Sequence, residues 1–129
     1  MRMVIQRVKE ASVRVDGKIV GQINKGALVL FGVKKTDIPA YTPWMAEKLI
    51  GLRYFSDAQG KMNLSLQDIQ GEILIVSQFT LYANCNDGRR PGFDAVGFSS
   101  RAVRDPMRTG RSAPWRKDRL PYHLLLTPW

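Results

Sequence analysis

Cysteine and histidine are nearly absent from this 129-residue chain, which has one of each, Cys85 and His123. A lone cysteine excludes an internal disulfide framework and suits a reducing cytoplasm. A lone histidine forces any Ser-His-acid or Cys-His unit through His123, between Tyr122 and Leu124, where a surface or packed role is the default. For Cys85 the default is a small, half-buried residue rather than a nucleophile. No Cys, His, Asp and Glu cluster has metal-ligand spacing, and the glycines form neither a phosphate loop nor a dinucleotide fingerprint. No apolar run approaches the roughly 18 to 20 residues needed to cross a bilayer, so no membrane partner is expected. The opening MRMVIQRVKE carries charges where a secretory signal needs an apolar core, which argues against export. An enzyme built on this chain works without the usual catalytic toolkit.

What is present is an ordinary globular balance, with 44% apolar and 24% charged residues, enough for one domain with a modest core. The formal net charge of +9 suggests a nucleic-acid partner. Its distribution is uneven. Residues 1–100 hold 13 Lys and Arg against 9 acids, whereas residues 101–129 hold 7 against 2. More than half of the excess therefore lies in the last 29 residues, and body and tail need separate readings.

Residues 3–8 and 11–15 read as strands whose apolar phase slips near Lys9–Glu10, the mark of a bulge or bend. Asp16-Gly17 is a hairpin dipeptide, KIVGQI resumes a strand, and ALVLFGV is a continuous apolar run typical of a central strand. The expected arrangement is an antiparallel meander. Thr42-Pro43 offers an N-cap and a first helical residue for a helix at about 42–52, with Met45, Ala46, Leu49, Ile50 and Leu52 on its apolar face. A turn at Asp57–Gly60 precedes KMNLSL, and Gly71 opens the strand EILIVSQFTLYA. The fold class expected is a mixed, β-rich α/β domain, mainly antiparallel or barrel-like, with one packed helix.

After Gly88 the pattern changes to a loop, NDGRRPGFDAVGF. From Arg101 onward, six of seven basic residues are Arg, and Pro106, Pro114, Pro121 and Pro128 recur every seven or eight positions. Long helices and central strands rarely survive such spacing, so the tail 99–129 reads as largely irregular. Only YHLLL, residues 122–126, could pack as a strand.

The chemically suggestive stretch is VSQFTLYANC, residues 76–85. Strand alternation puts Gln78 and Thr80 on one face with Leu74 and Val76, and Ser77 and Phe79 on the other with Ile73 and Ile75. Thr and Phe are good strand formers, so plain sheet packing explains them on composition alone. The functional alternative is a set of amide and hydroxyl donors beside main-chain N–H groups, able to hold an ester carbonyl and the oxyanion formed during its hydrolysis.

MRMVIQRVKEASVRVDG, GKMNLSL, SQFTLYA and GRRPGF, in that order, resemble the D-aminoacyl-tRNA deacylases over residues 1 to about 98. The resemblance implies hydrolysis of the ester joining a D-amino acid, or glycine mischarged on a non-cognate tRNA, to the terminal adenosine of tRNA. It also implies a cytoplasmic homodimer that uses no metal or organic cofactor and whose partner is the aminoacylated 3′ end of tRNA. By position it places the family's site on Ser77, Gln78, Phe79 and Thr80. Either the Thr80 hydroxyl attacks or positions, or water attacks with help from the tRNA 2′-hydroxyl while Gln78 and the Phe79 backbone hold the oxyanion. The second account fits better, because Thr80 has no evident general base. Arg89 and Arg90, in the loop beside that segment, are candidate contacts to the tRNA backbone.

The chain departs from the family's pattern at its end. Relatives carry a closing Asn-x-Gly-Pro-Val-Thr motif whose Gly-Pro excludes L-amino acids from the partner subunit's site, and this sequence has no Gly-Pro dipeptide. Residues 1–98 thus form an incomplete deacylase-like domain, followed by an Arg- and Pro-rich tail of the kind an altered reading frame or truncated gene produces. Two other readings stand beside the esterase: a non-catalytic basic module that binds RNA through phosphate contacts, and an inactive family member.

Overall fold

The computed structural model describes residues 1–97 and 122–125. In chain order the elements are β1 Arg2–Val8, β2 Ala11–Val15, β3 Lys18–Ile23, β4 Gly26–Gly32, α1 Tyr41–Gly51, β5 Phe55–Ser56, β6 Met62–Leu64, β7 Glu72–Ser77, a 3-10 turn Phe79–Tyr82 and β8 Tyr122–Leu125. The main sheet runs β1-β4-β7-β8, and β2-β3 and β5-β6 form two smaller ribbons. The β-rich mixed fold with one helix is the one expected from the sequence.

Its opening is not a meander. A bend at Lys9 ends β1 and sends β2 into a separate ribbon, so the slip in apolar phase marks a change of sheet. β2 pairs with β3 across Asp16-Gly17, whose φ values of 49° and 77° are both positive, as a two-residue hairpin turn requires. β1 pairs instead with β4, antiparallel, with Met3 opposite Phe31 and Ile5 opposite Val29. β7 then lies parallel to β4, with Ala27 opposite Ile73 and Val29 opposite Ile75. β8 continues parallel on the far side of β7, opposite Ile73 to Val76. The YHLLL reading thus holds for the strand, and the rest of the tail lies outside the described residues.

Ala27, Val29 and Phe31 of β4 and Ile73 and Ile75 of β7 bury one face of the sheet against Ala46, Leu49 and Ile50 of α1, closed by Phe55 and Leu66. Each Val, Leu, Ile or Phe side chain among them contributes roughly 1.5–3 kcal/mol by leaving water. Leu74 is buried too, though outside that cluster, so β7 is covered on both faces. Such strands read as unbroken apolar runs.

The helix begins earlier than Thr42. Tyr41 N–H donates to the Ile38 carbonyl and Thr42 N–H to that of Pro39, both near 3 Å, and Ala40 occupies the N-cap position. Thr42 is buried in the first turn, with its hydroxyl against the Met1 sulfur at 3.8 Å. The apolar face is accordingly Thr42, Ala46, Leu49 and Ile50, while Leu52 is exposed.

Candidate functional site

β7 stops at Ser77, six residues earlier than the strand EILIVSQFTLYA expected from the sequence. Gln78 remains extended, and its N–H donates to the Phe31 carbonyl at 2.8 Å, one step beyond the β4–β7 ladder. Phe79–Tyr82 then coils into a 3-10 turn closed by the Ala83 N–H on the Thr80 carbonyl at 3.1 Å. Propensity would carry Phe, Thr, Leu and Tyr onward as strand. Tertiary contacts prevail. Gly32, the last residue of β4, has no side chain, and a Cβ there would stand 3.0 Å from the Gln78 carbonyl and 3.2 Å from Leu81 Cβ. The turn therefore packs closely on the end of β4, where a side chain would force the Gln78 carbonyl and Leu81 to give by a few tenths of an ångström.

Gln78 and Thr80 are brought together, but not by a shared strand face. The Gln78 side-chain amide donates to the Thr80 hydroxyl across the start of the turn. Gln78 is half-buried and Thr80 exposed, so the pair lies at the surface end of the sheet. Ser77 is buried beside the α1-facing core residues Ile73 and Ile75, as alternation requires. Phe79 meets Phe93 edge-to-face, with ring centroids 5.1 Å apart.

That aromatic contact anchors the loop that carries Arg89 and Arg90. Asn84 and Gly92 exchange two main-chain hydrogen bonds of 2.8 Å and close the loop at its base. Inside it the Asn84 side chain accepts from the Asn86 N–H and donates to Asp87. Both arginines are exposed on this small frame. Cys85 is exposed on it too, contrary to the half-buried place expected. Residues 95–97 return to the segment just after β4, where Gly97 N–H donates to the Val33 carbonyl at 2.8 Å and Lys35 N–H to that of Ala95 at 3.0 Å.

Arg2 escaped the sequence reading. Its guanidinium donates to the Leu81 carbonyl and lies 4.7 Å from the centre of the Tyr82 ring, fastening the end of the turn to β1. Nothing in MRMVIQ announces this, because the contact spans the whole sheet in sequence. Burial raises the Tyr82 hydroxyl pKa, assisted by Asp37 and opposed by Arg2. Burial would also raise the Asp37 carboxyl, yet the Met1 ammonium and the Lys34 N–H together hold it below its usual range. Among the described residues, no three Cys, His, Asp or Glu side chains gather where they could hold a metal ion.

The D-Tyr-tRNA(Tyr) deacylase family model matches residues 4–104. The chain belongs to that family. It is 56% identical over 103 residues to a D-aminoacyl-tRNA deacylase of Geotalea uraniireducens, covering 80% of this chain and 66% of that protein. It is 63% identical over 96 residues to the D-aminoacyl-tRNA deacylase of Geotalea daltonii, covering 74% and 64%. The chain thus spans less than two thirds of the length of these relatives. Among solved structures it is similar to the c-Myc DNA Unwinding Element Binding Protein, with a TM-score of 0.80 and 32% identity over 95% of this chain and 83% of that one. The family match includes Ser77 to Thr80 and Arg89-Arg90, and it runs six residues past position 98.

Proposed function

We propose that the chain hydrolyses the ester joining a D-amino acid, or glycine mischarged on a non-cognate tRNA, to the terminal adenosine of tRNA. The observation that carries this is the Ser77–Thr80 segment, set on a turn at the end of β7 with the Gln78 amide bonded to the Thr80 hydroxyl. Water adds to the ester carbonyl, the tetrahedral oxyanion collapses, and the bond to the ribose oxygen breaks. That ribose oxygen takes up the proton that water released, giving free amino acid and tRNA. A glutamine amide has two N–H donors. One is committed to Thr80, and the other serves the oxyanion together with the Phe79 main-chain N–H.

Among the described residues, no carboxylate or amine hydrogen-bonds the Thr80 hydroxyl, and an unactivated hydroxyl is a weak nucleophile. Thr80 therefore positions, and the neighbouring 2′-hydroxyl of tRNA orients the attacking water. An aminoacyl ester is reactive enough for positioning to supply much of the acceleration. Arg89 and Arg90 meet tRNA phosphates, and the protein acts in the cytoplasm as a homodimer. Residues 1–98 constitute the deacylase-like unit, with 99–129 a divergent tail.

The test is single-turnover release of tyrosine from D-Tyr-tRNA by the purified chain, against the same substrate ending in 2′-deoxyadenosine. Rapid release from the first and slow release from the second are expected. Equal rates would return Thr80, or a water it holds, to the central role. No release from either leaves a basic RNA-binding module, whose contacts Arg89, Arg90 and the tail arginines would supply, or an inactive family member, the reading that the lack of any Gly-Pro dipeptide raises.

A further inference from the structure

The outer face of α1 carries side chains that neither the core nor the proposed site uses. Thr42, Ala46, Leu49 and Ile50 point inward. At 3.6 residues per turn, Tyr41, Trp44 and Lys48 fall within about 60° of one another on the opposite side. Tyr41 is 51% exposed and Trp44 61%, and Ile38, just before the helix, is 49% exposed. Large aromatic residues held in solvent on consecutive turns of one face mark an interaction surface. The Lys48 ammonium lies 5.7 Å from the centre of the Trp44 ring, so a cation and an aromatic plane are presented together. Lys34 and Lys35 are exposed in the segment leading to the helix. The acids on this side are few. Asp37 is occupied by the Met1 ammonium and the Lys34 N–H, leaving Glu47 as the one acid of α1.

The start of α1 is linked to the Gln78–Thr80 turn through the first two residues of the chain. Arg2 bonds Leu81 of that turn, and its neighbour Met1 touches Thr42 on the inward side of the first turn of α1, the turn whose outer side carries Tyr41 and Trp44. Lys35 is tied by its main chain to Ala95, four residues from Pro91 at the end of the arginine loop.

We propose that this face is a second RNA contact, taking the unpaired nucleotides that precede the reacting adenosine of tRNA. Tyr41 and Trp44 stack on bases, while Lys34, Lys35 and Lys48 meet phosphates. Stacking on aromatic rings accepts any base, and lysines around it supply the sequence-independent attraction. A protein partner would favour an apolar patch ringed by both signs of charge, whereas residues 34–51 expose Lys34, Lys35 and Lys48 against Glu47, with Asp37 engaged by the Met1 ammonium. The inference rests on tRNA being the substrate, and it deepens that reading by naming where the strand lies.

The experiment compares the wild-type chain with Trp44→Ala, Trp44→Leu, Trp44→Phe and the double variant Lys35→Ala/Lys48→Ala. Each is first shown by thermal melting to fold. Uncharged tRNA binding is measured as a function of salt, and single-turnover deacylation is measured on D-Tyr-tRNA and on the D-tyrosyl ester of adenosine alone. Trp44→Ala and Trp44→Leu are expected to weaken tRNA binding about tenfold, with Trp44→Phe restoring most of it. The lysine pair should lower the slope of log affinity against log salt by about 1.4 to 1.8. Turnover of the adenosine ester should stay within twofold of wild type in all of them.

Unchanged tRNA binding in these variants, or wild type that binds no tRNA, overturns the proposal. So does an equal loss of turnover on the adenosine ester, because the patch would then act on the site rather than on the strand. A wild-type chain that binds tRNA through this face yet cleaves neither substrate would instead refute the esterase reading alone.

Discussion

Gln78 sits where the ladder between β4 and β7 gives way to the turn, and both of its halves are used. Its main chain extends the sheet by one bond to Phe31, and its side chain reaches Thr80. Oxyanion contacts act mainly in the transition state, so Gln78→Ala should lower single-turnover deacylation about a hundredfold with tRNA affinity within about threefold. Quench-flow rates beside filter binding would check this, and full activity in the variant would remove Gln78 from the oxyanion role. A different residue tests the sheet itself. A Cβ on Gly26 would overlap the Glu72 carbonyl oxygen of the neighbouring strand, a main-chain atom that cannot swing away. Gly26→Ala should therefore cost about 1–3 kcal/mol, read as a lower urea midpoint at unchanged slope.

At the scale of elements, the segment after β6 offers a pH test. Asp68 accepts from both the N–H and the hydroxyl of Ser65, at 2.8 and 2.7 Å, and its own N–H returns a bond to the Ser65 oxygen. Those bonds, the main-chain one foremost, hold the Asp68 carboxyl below its usual pKa. A group lowered in the folded state stabilises the fold above its unfolded pKa and loses that contribution as pH falls through the folded one. The melting-temperature difference between wild type and Asp68→Asn should thus be full near neutrality and shrink on acidification below the ordinary carboxylate range. A difference independent of pH would mean that the bonds are not charge-assisted. Elements defined by neighbours in sequence were the legible ones. Asp16-Gly17 announced its hairpin, and the unbroken run of β4 announced a central strand. The pairing of β1 with β4 was not legible, because it skips the whole β2–β3 ribbon. Nor was the turn at Phe79, which packs on Gly32 of another strand. Thr42-Pro43 looked like a cap because its residue types suit one, but the bonds to Ile38 and Pro39 start the helix earlier and leave Thr42 inside.

For the whole molecule, selectivity is the quantity most exposed to the sequence's departure from its family. A rigid backbone wedge that excludes the wrong enantiomer can contribute several kcal/mol, roughly two or more powers of ten in rate. This chain has no Gly-Pro to supply one. Deacylation of D-Tyr-tRNA and L-Tyr-tRNA should therefore differ by less than about tenfold under single turnover, and a strong preference for the D-substrate would show that another part of the chain rebuilds the filter. The order of the site segments along the chain made the family legible, whereas the fastening of the turn by Arg2 was visible only once the sheet had closed.

β8 has a consequence for how the protein comes into being on the ribosome. β7 ends at Ser77 and its outer neighbour begins at Tyr122, so 45 residues must be translated before that flank of the sheet is covered. At about 5–20 residues per second this is roughly 2–9 s during which an apolar strand offers its open edge to any other nascent chain. Translation speed over that interval, rather than the stability of the finished fold, should govern soluble yield. Slow synonymous codons between positions 78 and 121 should raise the aggregated fraction, and a chaperone that shields strand edges should restore it.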